Sequence, residues 1–156
     1  MIVLRSLTKF YAMPGLRIGY LVGASKVVDQ LKDRQPPWSV NSLAQAVSLA
    51  VLRDPAYAAE SRTCMKSERS RFMRGLRSLP GLRVYPSAAN FVLIELPAST
   101  CAGEVTARLA AERLLVRDCS TVPGLSRQMI RVAVRTTREN RRLLAALGRC
   151  LRKNQS

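Results

Sequence analysis

A short apolar run with no polar alternation, Ile2-Val3-Leu4, leads directly into Ser6-Leu7-Thr8-Lys9. The run, extended to Arg5, reads as a strand, and a strand without alternation is ordinarily covered on both faces, as in a parallel sheet between helices. Pro14-Gly15 turns the chain, and Arg17 opens a second apolar strand, Ile18 to Val22. One strand therefore carries two hydroxyls and an amine into a loop, and the return segment brings a guanidinium back near them. Serine and threonine hydroxyls donate to phosphate oxygens, and arginine does so as a two-pronged fork. Ser6, Thr8 and Arg17 are candidate anion ligands, with Lys9 as a candidate reactive amine. The spacing alone also fits a solvated surface lysine. Two strands cannot make a covered parallel sheet, so the expectation is a chain that starts inside a domain.

The 156 residues suit one ordinary domain in length, and 47% are hydrophobic, enough for a core. Lys plus Arg number 26 against 10 Asp plus Glu, a formal +16. That excess raises nucleic acid or an acidic membrane surface as partners. The charge is scattered as single arginines, however, and no basic block is interleaved with aromatics. The reading is no nucleic acid and no membrane, with a basic non-catalytic binding module kept as the alternative of another class. There is no histidine, which excludes a Ser-His-Asp triad or a Cys-His dyad within this chain. Cys64, Cys101, Cys119 and Cys150 are widely spaced with no Cys-x-x-Cys, so no metal site is expected and the thiols are read as reduced and partly buried. No signal peptide precedes the first strand and no apolar run approaches membrane length, giving a cytoplasmic expectation.

Along the chain, Ser25 to Gln35 reads as a helix with Ser25 as N-cap. Pro36-Pro37 stops it. Asn41 or Ser42 caps the next helix, whose Leu43, Ala44, Val47, Leu49, Ala50, Val51 and Leu52 cover most of its circumference and predict deep burial. Asp54-Pro55 starts a long helix from Ala56 to Leu79, with Tyr57, Met65, Phe72, Leu76 and Leu79 as its buried stripe. The composition shifts here from largely buried to amphipathic, so a domain boundary is placed near Asp54, dividing residues 1–54 from 55–156. Then follow strands Leu82 to Tyr85 and Asn90 to Leu96, helix Thr100 to Arg113, strand Leu114 to Arg117 and a loop from Asp118 to Ser126. Strand Ile130 to Val134 and a last helix from Thr137 to about Lys153 complete the order, with Thr136 and Glu139 spaced as a capping box. The order fits a small α+β domain with helices on one face of a sheet.

Arg117 and Arg131 each sit in an apolar strand, where an arginine is costly unless it is paired or faces water or a cleft. Period two permits a water-facing position for Arg131 and Arg135 alike. Asn90 reads as a strand-start turn and Phe91 as core packing.

An amine beside a phosphate site is what a pyridoxal phosphate enzyme needs for its Schiff base. The ordered stretch Arg5-Ser-Leu-Thr-Lys-Phe-Tyr-Ala-Met-Pro-Gly-Leu-Arg-Ile-Gly-Tyr20 resembles the Schiff-base segment of fold-type I pyridoxal phosphate enzymes, aminotransferase class I/II, in the histidinol-phosphate aminotransferase branch. The likeness continues to near the C-terminus. It implies an α/β fold in which residues 1–54 are the end of a mostly parallel cofactor-binding large domain and residues 55–156 a small α+β domain. By that resemblance Lys9 carries pyridoxal 5'-phosphate, and Ser6, Thr8 and Arg17 hold its phosphate. Arg117 in Val-Arg-Asp and Arg131 in Ile-Arg-Val bind the acidic groups of a small phosphorylated amino-acid substrate, with Asn90 of Asn-Phe nearby. Loss of CO2 is the leading chemistry and transamination the second, with a homodimer as the full-length assembly. Arg135 is read as structural. The chain covers less than half of the family's length. The family's pyridinium-pairing Asp, its ring-oxygen Tyr and its ring-stacking aromatic have no counterpart, so a C-terminal part of such an enzyme is expected.

Overall fold

In the computed structural model, which describes residues 1–152, β1 (Val3–Ser6) and β2 (Gly19–Val22) form an antiparallel pair with Val3 opposite Val22 and Ser6 opposite Gly19. Glycine is required at that last rung. A Cβ on Gly19 would lie 2.5 Å from the Arg5 carbonyl oxygen, so a side chain would push the strands apart. Between the strands, Pro14–Leu16 makes a single 3-10 turn that ends on Arg17 in the left-handed region, φ 49°. The chain falls into two compact units, Met1–Ser61 and Arg62–Ser156.

The first unit adds α1 (Ser25–Lys32), α2 (Ser42–Leu52) and the opening turns of α3 (Pro55–Arg77). The N-cap of α1 is Ala24, with no side-chain bond, and not the expected Ser25, because the backbone is already helical at Ser25. Residues 33–35 form turns beyond the helix instead of its last turn. Asn41 does cap α2, its side-chain oxygen accepting from the Ala44 N–H at 2.8 Å. The Asp54 carboxylate accepts from the Tyr57 N–H at 2.8 Å and starts α3 ahead of Pro55 at the first helical position. Tyr57 stacks on Tyr11 at 5.7 Å between ring centroids, so the first turns of α3 pack with the first unit.

The expected burial of α2 is overturned. Ala44 and Ser48 are its buried residues, while Leu43 is 64% and Leu49 59% exposed. A two-stranded sheet and two short helices have too little surface to enclose a helix that is apolar all round. The same shortage leaves all four residues of β1 exposed.

The second unit is a four-stranded antiparallel sheet in the order β3-β4-β6-β5, with β3 (Arg83–Val84), β4 (Phe91–Glu95), β5 (Arg117–Asp118) and β6 (Met129–Ala133). Alternation decides its faces. Val92, Ile94, Ile130 and Val132 are fully buried against Phe72 and Leu76 of α3, Val105 and Leu109 of α4 (Ala102–Ala111), and Leu147 of α5 (Thr137–Arg152). All helices of the unit therefore cover one face, as the α+β expectation requires. The anticipated end of α5 near Lys153 lies outside the described residues. In the α3 stripe, Phe72 and Leu76 are buried and Met65 and Leu79 partly so, but Tyr57 is 40% exposed and packs on Tyr11 instead. Cys119 and Cys150 are buried, whereas Cys64 and Cys101 are exposed, and all four are free thiols.

The capping box forms as expected: the Glu139 N–H donates to Thr136 Oγ1 at 3.4 Å and the Thr136 N–H to Glu139 Oε2 at 3.3 Å. The hydrogen bond from Arg135, then that from Thr136, hold the Glu139 carboxyl at about 2, below its ordinary 4.5. A depressed carboxyl stabilises the fold above its unfolded value and loses that contribution as pH falls through the folded one. The wild-type melting temperature should therefore drop further between pH 5 and pH 2, on the order of this window, than that of Glu139→Gln. Parallel pH profiles of the two proteins would contradict the assignment.

Candidate functional site

Lys9 lies in the turns that follow β1, which are closed by backbone bonds from Tyr11 to Leu7, Ala12 to Lys9 and Met13 to Thr8. The loop thereby fixes Thr8, which is 3% exposed, while Lys9 stands in solvent. Ser6 Oγ and Thr8 Oγ1 are 2.8 Å apart and hydrogen-bonded. Arg17 turns back to donate to the Pro14 carbonyl at 3.0 Å, which uses one of its five N–H donors. Ser6, Thr8 and Arg17 line one cavity of about 520 Å3, together with Arg5, Tyr20 and Gln35. The three residues expected to share an anion are thus brought together within the first unit, and Lys9 adjoins them in sequence without lining that cavity. Gln35, in the turn after α1, has no sequence signal that points to it.

In the second unit, Arg117 on β5 is the cross-strand partner of Arg131 on β6. Directly opposed residues of an antiparallel pair have Cβ atoms about 5 Å apart, and like charges so placed destabilise the sheet. Neither guanidinium has a salt-bridge partner among the described residues. Asp118 does not neutralise them. It is the next residue on β5 and so belongs to the other face, near Gly103 at the start of α4. Hydrogen bonds from Ser120 are the main cause of its lowered pKa, with Arg117 a smaller one.

The guanidinium of Arg131 rests 4.8 Å from the ring centroid of Phe91. Phe91 is 39% exposed, so it is not the core residue expected of it. Its parity along β4 places it with Leu93 and Arg131 on the open face, which the continuous apolar run Phe91 to Ile94 does not reveal. Asn90 is exposed at the head of β4, where its carbonyl accepts from the Val134 N–H at 2.8 Å. Tyr85 and Glu95, joined at 2.8 Å, are further polar groups of the same region that no motif singles out. The expected strand Leu114 to Arg117 is corrected: β5 begins at Arg117, and Leu115 is 89% exposed. Arg135 is engaged by Glu139 at 2.7 Å and is structural in that sense.

Comparison with known proteins identifies the family and the fold. The family described as aminotransferase class I and II matches residues 1–147. Threonine-phosphate decarboxylase of Salmonella typhimurium is 42% identical over 96% of this chain and 41% of its own length. The histidinol-phosphate aminotransferase structure from Clostridium acetobutylicum superposes with a TM-score of 0.90 at 31% identity, over 97% of this chain and 46% of that one. The Sinorhizobium meliloti histidinol-phosphate aminotransferase, solved in complex with pyridoxal-5'-phosphate, superposes at 0.85 with 25% identity, over 97% of this chain and 41% of that one. The chain thus spans about two-fifths of the length of the curated relative. With the family matched over almost the whole chain and the fold reproduced in solved members, the chain belongs to the aminotransferase class I and II family.

Proposed function

We propose that this chain carries the lysine, part of the phosphate cup and the substrate arginines of a pyridoxal phosphate-dependent decarboxylase. The substrate would be O-phospho-L-threonine and the product (R)-1-amino-2-propanol phosphate, a step of cobalamin biosynthesis. Residues 1–54 would contribute to the cofactor-binding domain and residues 55–156 would form the small domain of a homodimer.

The observation that carries the reading is the opposed pair Arg117 and Arg131. Two arginines opposed across a strand pair, without carboxylate partners among the described residues, suit a substrate that bears both a carboxylate and a phosphate. The 42% identity to a threonine-phosphate decarboxylase favours loss of CO2 over transamination. The cofactor suits the donor set on the other unit: two hydroxyls 2.8 Å apart and an arginine line a cavity large enough for a phosphate-bearing ring.

Pyridoxal phosphate, when bound, supplies an aldehyde for amines and an electron-accepting ring. Ser6, Thr8 and Arg17 then hold its phosphate through hydroxyl and guanidinium N–H donors. Lys9 would offer its Nζ as the amine that the cofactor's aldehyde joins and would hold a proton for the substrate Cα. Arg117 and Arg131 would fix the two acidic groups of the substrate, with Phe91 against the Arg131 guanidinium and Asn90 at the head of β4 as a further candidate contact. Incubating the gene product that carries this chain with O-phosphothreonine, without any keto acid, should yield CO2 and aminopropanol phosphate over many turnovers. Turnover that requires 2-oxoglutarate and yields glutamate from histidinol phosphate would establish the aminotransferase reading instead.

A further inference from the structure

The end of α4 is built around an arginine in a place that suits glycine. The Arg113 N–H donates to the Ala110 carbonyl and the Leu114 N–H to the Leu109 carbonyl, both at 2.9 Å. These are the two bonds of a Schellman cap, and the residue at its left-handed position is Arg113, with φ 58°. Glycine takes that conformation without steric cost and an L side chain does not. Strain retained at a position where it could be relieved points toward a role for the side chain.

Beyond Arg113 the edge of the sheet stands open. Continuing the register from Arg117 opposite Arg131 would set Leu115 against Ala133 and Arg113 against Arg135. The pairing stops at Arg117 instead, and a cavity of about 300 Å3 opens there. Arg113, Arg135 and Arg142 line it together with the apolar Leu114, Val116 and Leu143. Glu139 is the one carboxylate in the lining, so three guanidiniums less one carboxylate leave a net charge of +2. Arg135 is bound to Glu139 and Arg142 donates to the Glu112 carbonyl, but the Arg113 guanidinium has no hydrogen-bond or ion-pair partner among the described residues. Val134 bonds to Asn90 on the β4 side. By antiparallel alternation the Ala133 N–H points the other way, toward the gap left by β5.

We propose that this cavity is a second anion site, distinct from Arg117 and Arg131, that takes a small phosphate monoester with a short apolar body. A dianionic head matches the +2 lining, the free Arg113 fork and the outward N–H of Ala133, while the leucines and valine accept the carbon chain. The site lies wholly within the second unit and does not depend on the proposed decarboxylase activity.

The test is a titration of the full chain with n-butyl phosphate, followed by 15N–1H shifts at residues 113–116 and 133. Saturable shifts are expected there, and they should persist in Arg131→Gln. Arg113→Gly should weaken binding about tenfold, the loss of one charge-assisted contact, while its melting temperature holds or rises because glycine relieves the left-handed strain. A purely structural arginine would not separate those two readouts. Butyrate should bind more weakly than the phosphate. The proposal is overturned by an absence of saturable shifts, by unchanged affinity in Arg113→Gly, by loss of the shifts in Arg131→Gln, or by butyrate binding as tightly.

Discussion

Replacing Lys9 by alanine should lower turnover of the gene product that carries this chain by about 10³-fold or more, the scale on which removing a proton-carrying or nucleophilic group acts. Cofactor affinity should fall much less. Ser6, Thr8 and Arg17 line their cavity without Lys9, so a phosphate bound there would not need the amine. Lys9→Arg keeps the charge but loses the nucleophilic nitrogen, and it should be as inactive as Lys9→Ala. The discriminating measurement is pyridoxal phosphate affinity and turnover in the same set of proteins. If both fell together in Lys9→Ala, Lys9 would be part of the phosphate cup and not the reactive amine.

The second large effect is expected at the opposed arginines. Arg131→Gln should raise the substrate KM by about 10- to 150-fold, equivalent to the ~1.5–3 kcal/mol of a charge-assisted hydrogen bond. Arg117→Gln should act in the same range. Arg→Lys at either position should recover little, because a point charge cannot reproduce the two-pronged geometry. Without substrate, Arg117→Gln removes a like-charge opposition across β5 and β6 and should not lower the melting temperature, whereas in Arg131→Gln that relief is offset by loss of the contact with Phe91. Reduced stability together with unchanged KM would make the pair structural.

Much of the second unit could be read directly from residue order. The apolar runs at Phe91–Glu95 and Met129–Ala133 mark two strands, whose period of two buries Val92, Ile94, Ile130 and Val132, and Thr136 with Glu139 marks the start of α5. What could not be read was register. Leu114-Leu115-Val116 has strand composition, yet the left-handed Arg113 carries that segment away from β6, and pairing begins only at Arg117. The opposition of Arg117 to Arg131 likewise depends on the conformation of the connecting loop, which alternation along one strand does not specify. For Phe91 the core-packing alternative fails, because its partner is a cation on the open face.

In the first unit the local signals held better than the burial inference. Asn41 and Asp54 begin their helices through side-chain caps. The apolar composition of α2 and β1 was legible as well, but burial depends on how much other chain surrounds an element. Composition cannot count those neighbours, and Leu4, at 75% exposure, and Leu43, at 64%, show the difference. At the candidate site, Ser6, Thr8 and Arg17 were identifiable because one short loop carries them. Gln35 reaches the same cavity from a separate turn, and only the folded chain brings it there.

Borohydride trapping decides whether Lys9 is the amine that attaches pyridoxal phosphate. The protein is mixed with pyridoxal phosphate at low excess, reduced, digested, and its peptides mapped by mass spectrometry. A reduced pyridoxyl group is expected to be concentrated on Lys9, with Lys26, Lys32, Lys66 and Lys153 labelled far less. Label spread evenly over the lysines, or concentrated on one other than Lys9, would contradict it.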